Sequence, residues 1–209
     1  MAKEKLAIAV LGAGNIGGTL GKKWAAAGHQ VSFGVNDLAG KNAQALRAEL
    51  AEQAAIGTLD DALQGEPDVV LVALPGAIIE DIAQKYATQL NGRIIIDATN
   101  SFGEDSMHNL AHFQRHSPQA QLYRAFSTLG WENFDEPDFA GTSADLFYCG
   151  AEGDARTTVE RLISDVGLRP VCLGENDQAG LLDAMTALWF NLAINQKKGR
   201  HLAFKVLGI

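Results

Sequence analysis

Cysteine, proline and basic residues are all scarce in this 209-residue chain, which has two, five and 17 of them. Cys149 and Cys172 sit in apolar, strand-like runs and match neither a redox nor a zinc spacing. They read as buried, reduced thiols, which places the chain in the cytoplasm. Against 25 Asp and Glu, the 17 Lys and Arg leave a formal charge of -8. Nucleic-acid binding needs a basic face to neutralise phosphates, so no nucleic-acid partner is expected. Nor does any stretch approach the roughly 20 apolar residues of a membrane span. The first apolar run stops at once in a glycine turn, unlike the core of a signal peptide. What remains is one domain with a large core, or one domain with a small appendage.

What is present begins at that turn. Residues 10–18 read Val-Leu-Gly-Ala-Gly-Asn-Ile-Gly-Gly, with Gly12, Gly14 and Gly17 in G-x-G-x-x-G spacing. The turn follows a charged lead-in at Lys3 to Lys5 and an apolar run over 6–11. It opens a helical pattern over 15–27, with Ile16, Leu20 and Trp24 on one face and Gly28 at the C-cap. A second strand follows, with Val31, Phe33 and Val35 alternating. In such a βαβ unit Gly12 permits the tight turn, Gly14 lets a pyrophosphate approach the backbone, and Gly17 lets the helix press on the sheet. The N–H groups around Asn15 and Ile16 then face the phosphates at the positive helix end.

Further on, the pattern alternates. Helices are expected over 40–53, 77–90, 106–116, 154–166 and 178–196, with a helical turn over 59–64. Strands are expected over 55–58, 68–74, 93–97, 122–126, 145–150 and 169–173. This predicts an α/β fold, a Rossmann-type doubly wound parallel sheet over residues 1–127, with a smaller C-terminal α/β portion over 128–209 that ends in a helix. Ligands of such sheets bind outside the carboxyl ends of the strands. Those ends are Gly34 to Asp37, Leu74-Pro75-Gly76, Asp97 to Ser101 and Ala125 to Thr128. The segment 129–143 reads as a loop whose Trp131, Phe134 and Phe139 either cover a ligand or pack on the core.

No catalytic residue is assigned. The acid pairs Asp60-Asp61, Asp135-Glu136 and Glu175 with Asp177 fall at expected helix starts or in loops, where acids cap and solvate. No metal is assigned either: His108, His112 and His116 share a helical face, but the outer two stand about 12 Å apart along the axis, too far for one ion. Lys197, Lys198, Arg200, His201 and Lys205 form the one basic cluster, at a helix end where cations offset the dipole.

These segments together resemble the family of reductases that pass hydride between NADP and coenzyme F420, a deazaflavin. The likeness runs through the glycine turn, Phe33-Gly34-Val35, Asp97-Ala98-Thr99-Asn100, Ala125-Phe126-Ser127-Thr128 and Leu202-Ala203-Phe204-Lys205. The order of elements is also similar to the oxidoreductase domain of STEAP metalloreductases, which use a flavin. The resemblance implies an NADP-dependent oxidoreductase with coenzyme F420 or a flavin as second redox partner. Hydride transfer of this kind needs two flat rings stacked at about 3 to 3.5 Å and sheltered from water, and no protein acid or base. On this reading Asn36, Leu74, Pro75 and Asn100 contact the dinucleotide, while Phe126, Thr128 and Trp131 shape the pocket of the second ring.

One position departs from the family. Where members often carry an arginine for the 2'-phosphate, this chain has Asn36 followed by Asp37. An aspartate there favours a free 2'-hydroxyl, and Lys41 can compensate, so NADP follows from the resemblance while the residues leave NAD open. A flavin or ferric reductase of the same fold and a nonenzymatic NAD(P)-binding redox sensor are the alternatives. The apolar final helix points to a homodimer.

Overall fold

The computed structural model describes residues 5–208; Lys3 and Glu4 of the charged lead-in, and the final Ile209, lie outside them. An eight-stranded sheet organises the chain. In sequence, it contains β1 (Ala7–Leu11), β2 (Gln30–Gly34), β3 (Ala54–Gly57), β4 (Val69–Val72), β5 (Ile94–Asp97), β6 (Gln121–Arg124), β9 (Asp145–Gly150) and β10 (Arg169–Cys172). The spatial order is β10-β9-β6-β5-β4-β1-β2-β3. The six strands from β3 to β6 run parallel, as the alternating pattern requires. At β9 the direction reverses: β9 pairs antiparallel with β6 through Tyr123–Gly150 and Arg124–Cys149, and β10 then runs parallel to β9. The sheet is therefore mostly parallel, and it continues without a break from the glycine-turn half into the later one.

Period-two strand geometry divides the core between two faces. Ile8, Val10, Phe33, Val69 and Leu71 join Leu20 and Trp24 of α1 (Asn15–Ala26), Leu46 of α2 (Lys41–Leu50) and Val159 and Leu162 of α8 (Asp154–Val166). Ala9, Leu11, Val70 and Val72 face the other way. They meet Leu59 and Leu63 of α3 (Leu59–Gln64), Ile79 of α4 (Ile79–Lys85), Leu90 of α5 (Ala87–Leu90), Phe113 of α6 (Leu110–His116) and Leu182 of α9 (Ala179–Phe190). On the first face, the Trp24 indole donates to the Leu162 carbonyl at 2.9 Å, which fastens α1 to α8.

Three elements differ from the sequence expectation. The helix expected over 106–116 begins only at Leu110, because the preceding residues are held in a loop by acids of other elements. Asn109 N–H donates to Asp97 and Met107 N–H to Asp183, and Ser101 N–H closes the loop on the Met107 carbonyl. The segment 129–143 is not a bare loop: it holds α7 (Glu132–Asp135) and a hairpin of β7 (Asp138–Phe139) and β8 (Thr142–Ser143). Ala140 and Gly141 turn that hairpin with positive φ at both positions, the geometry that favours Asn-Gly and that an Ala-Gly pair disguises. Finally, α9 ends at Phe190 and gives way to a π turn over Asn191–Asn195. Among the described residues, no helix is long and apolar enough to cross a membrane.

Candidate functional site

At the carboxyl ends of the parallel strands lies a cavity of about 610 Å³, bounded by the turns after β1, β2, β4 and β5. Its floor is the glycine turn. Gly12 has φ +108°, and a Cβ there would stand 2.4 Å from the carbonyl oxygen of Ala73, so the turn fits against the β4 end only without a side chain. At Gly14 a Cβ would meet nothing within 4 Å, so the backbone is open toward the cavity. Gly14 is the N-cap of α1, with no side-chain cap and no acid in the first turn. The first N–H groups of α1 therefore keep their positive potential for an anion.

The wall after β2 carries Asn36, Asp37 and Lys41. Asp37 is turned into its own loop, where Oδ1 accepts from Ala39 N–H at 2.9 Å. Helix α2 then starts at a Gly40 cap with no side-chain partner and no acid in its first turn. The opposite wall comprises Leu74, Pro75 and Asn100. The turns after β4 and β5 are in close contact: a Cβ on Gly76 would collide with the Ser101 side chain.

A second cavity, of about 650 Å³, adjoins the first and shares Pro75 and Asn100 with it. Glu80, Ser101, Phe102, His108, Asn109 and His112 are among its walls. Phe102 is 56% exposed, and its ring edges against Phe190 at 4.9 Å. Glu104 and Asp105 also border this cavity, whose lining includes no Lys or Arg.

Most of the residues singled out from the sequence meet in the first cavity: Gly12, Gly14, Ile16, Asn36, Leu74, Pro75 and Asn100. Asn15 is exposed on the first turn of α1, and Gly17 is buried beneath the turn; neither lines the cavity. The second-ring residues are placed elsewhere. Phe126 is only 1% exposed, with its ring edge-on to Trp24 and Phe134 at 5.8 and 5.6 Å. Its φ of +61° accompanies this inward placement, which makes it a core residue. Thr128 is fully buried, and Trp131 lines a separate cavity with Glu132, Asp135, Glu136 and His201. The loop aromatics thus follow the core-packing alternative, and the cavity next to Asn100 is formed instead by residues 75–80 and 100–112.

The basic cluster near the C-terminus is largely engaged with its own chain. Arg200 pairs with Glu132 and lies over the Trp189 ring, His201 meets the Glu136 carbonyl, and Lys205 pairs with Asp145. Burial pushes the Cys149 thiol up to about 12, so it stays protonated, while Cys172 is only half-buried.

Arg124 and Asp183 escaped the sequence reading. Arg124 is 0% exposed at the end of β6, and its guanidinium donates to the Asp97 and Thr99 carbonyls, to Asn100 Oδ1 at 2.9 Å and to Asp183 Oδ1 at 3.3 Å. Asp97, itself buried, accepts from the backbone and hydroxyl of Thr99. The signal was available: a lone arginine in the strand Leu-Tyr-Arg-Ala-Phe and a lone aspartate in an apolar helix are both charges where burial needs a partner.

Residues 7–101, just under half of the chain, match the family described as NADP oxidoreductase, coenzyme F420-dependent. None of the curated proteins matches the sequence. Among solved structures, a candidate F420-dependent NADP-reductase from Arthrobacter sp. FB24 superposes with a TM-score of 0.85 at 23% identity, over 97% of this chain and 100% of that one. A hypothetical protein from Sinorhizobium meliloti is 28% identical, with a TM-score of 0.68 over 98% and 96% of the two chains. An imine reductase from Pseudomonas sp. gives a TM-score of 0.68 at 17% identity, over 90% of this chain and 63% of its own. The chain thus has a Rossmann-type α/β fold, a mostly parallel sheet with helices on both sides.

Proposed function

We propose that this protein is an oxidoreductase that transfers hydride between NADP(H), held in the first cavity, and a deazaflavin or flavin-type ring received in the second. The observation that carries this reading is the junction of the two cavities at Pro75 and Asn100. A dinucleotide anchored by its pyrophosphate at the glycine turn, with its adenosine toward Asn36, brings its nicotinamide to the ends of β4 and β5, where that junction lies. The bound dinucleotide supplies the hydride at its nicotinamide C4. The chain contributes the uncapped start of α1 for the pyrophosphate, the apolar Leu74 and Pro75 that exclude water, and Asn100 as a polar anchor.

For the 2' position, the residues favour NADP once the loop is taken into account. The Asp37 carboxylate is engaged with the Ala39 N–H, and Lys41 stands on the same wall as Asn36. A specific observation favours a second reading of the acceptor. With Glu80, Glu104 and Asp105 around it and no Lys or Arg among its lining residues, the second cavity suits a ring without the phosphate and glutamates of coenzyme F420. A flavin or other uncharged acceptor then takes its place. We place the protein in the cytoplasm on its unpaired thiols, and as a homodimer on its exposed apolar helix face.

The test is a pair of measurements on the purified protein: dissociation constants for NADPH and NADH, then initial rates of NADPH oxidation with coenzyme F420, FMN, riboflavin and ferric chelates. Tighter NADPH binding and saturable oxidation with a ring acceptor are expected. Tighter NADH binding overturns the cofactor assignment. Binding without oxidation by any acceptor supports the sensor instead.

A further inference from the structure

Asn100 stands at the junction of the two cavities, and its side-chain amide has two unlike ends. One is fixed: Oδ1 accepts from Arg124 Nη2 at 2.9 Å. A guanidinium carries donors only, so the amide cannot be turned over without setting its NH2 group against another donor. Arg124 is itself immobilised. It is fully buried, Nη1 is spent on the Asp97 and Thr99 carbonyls, and the same Nη2 also meets Asp183 Oδ1 at 3.3 Å. Asp183 in turn accepts from Met107 N–H through its other oxygen, and Asp97 holds Asn109 N–H. The guanidinium therefore joins the ends of β5 and β6, the loop before α6 and the helix α9.

We propose that Arg124 is a positioning residue. By holding Asn100 Oδ1 inward, it makes the Asn100 NH2 group the hydrogen-bond donor offered to the carboxamide carbonyl of the nicotinamide. This rests on the dinucleotide reading of the first cavity and adds the device that orients the ring there. A carboxamide kept in one orientation fixes which face of the ring meets the second cavity. Neither the G-x-G-x-x-G turn nor the apolar residues Leu74 and Pro75 can supply that choice, since they hold phosphates and exclude water without reading the carboxamide.

Two variants test it, each with two probes: the full dinucleotide, and the matching ADP-ribose 2'-phosphate, which lacks the nicotinamide. Asn100→Asp retains the oxygen that Arg124 holds and replaces the NH2 donor by a second acceptor, so the fold is expected to be kept. Its affinity for the dinucleotide is expected to fall about tenfold with ADP-ribose 2'-phosphate binding unchanged. Arg124→Lys keeps a cation between Asp97 and Asp183 but lacks the forked donors, and the same selective loss is expected. Combined, the two changes are expected to cost less than the product of their separate effects. If Arg124→Lys fails to fold, Asn100→Asp decides alone: an amide presenting its oxygen to the ligand would lose nothing on becoming an acid. Equal loss for both probes, or no loss for either, overturns the positioning role and leaves the dinucleotide site standing. A wild-type protein that binds neither probe overturns the dinucleotide reading, and this inference with it.

Discussion

A Cβ on Gly17 would stand 2.1 Å from the carbonyl oxygen of Gly12, so the first glycine of the turn and the first turn of α1 touch backbone to backbone. This contact sets how deeply the start of α1 sits against the strand ends, the place proposed above for the pyrophosphate. Gly14, two residues past Gly12, has open space instead. The two glycines therefore differ in what a methyl group would meet: backbone at Gly17, open space at Gly14.

Gly17→Ala is expected to cost about 1–3 kcal/mol of stability through overpacking against an unyielding carbonyl, and to weaken dinucleotide binding as a consequence. Gly14→Ala is expected to leave the melting temperature nearly unchanged and to weaken the dinucleotide selectively, because the methyl group stands where the pyrophosphate approaches. Thermal unfolding with and without NADPH distinguishes them. A Gly14→Ala protein with full affinity would remove the glycine turn from the phosphate site.

A second prediction concerns pH and the C-terminal tail. Asp145 is buried, and although burial raises its pKa, the Arg169 guanidinium, the Val206 N–H and Lys205 outweigh that and hold the carboxyl below its usual value of 3.8. The contacts are a paired Arg169 at 2.6 and 2.7 Å and the Val206 N–H at 2.7 Å, so the acid anchors the end of the chain to β9 and β10. Because the folded pKa is the lower one, the stabilisation is complete above the unfolded value near 3.8 and is lost as the pH falls through the folded value. Melting temperatures of wild type and Asp145→Asn should thus differ most at neutral pH and converge below about pH 4. A gap that stays constant through that range contradicts the linkage.

The terminal helix yields a third. Leu181 and Leu188 are 53% and 47% exposed on one face of α9, and Ile194 in the following π turn is 44% exposed. The buried Leu182 and Trp189 lie about 100° round the helix from them, so apolar side chains cover much of its circumference, which fits a surface covered by a second copy. Light scattering is expected to give a dimer for the wild type and a monomer for Leu188→Glu. An unchanged mass in the variant would move the interface elsewhere.

The sequence announced its glycine turn clearly, because three glycines at fixed spacing between a strand and a helix leave few other uses. Strands such as Val69–Val72 were equally clear as unbroken apolar runs, and α8 kept its expected ends because Gly167, with φ +101°, terminates it. The reversal at β9 was hidden, since a strand buried on both faces reads the same in either direction. The site near Asn100 was only half legible. Aromatics such as Phe126 were natural candidates for a ring pocket, yet one positive φ and two aromatic neighbours put that ring in the core. The loop before α6 was obscured by tertiary contacts from Asp97 and Asp183, which no local pattern encodes.

The central claim is that a nicotinamide held beside Asn100 gives its hydride directly to a ring in the adjoining cavity. The most direct measurement is the initial rate of NADPH oxidation with a ring acceptor, compared for NADPH carrying hydrogen or deuterium at the transferring C4 position. The account expects saturation in both substrates, no oxidation without the acceptor and a slower rate with deuterium. NADPH that binds tightly yet is oxidised by none of coenzyme F420, FMN or riboflavin would contradict it.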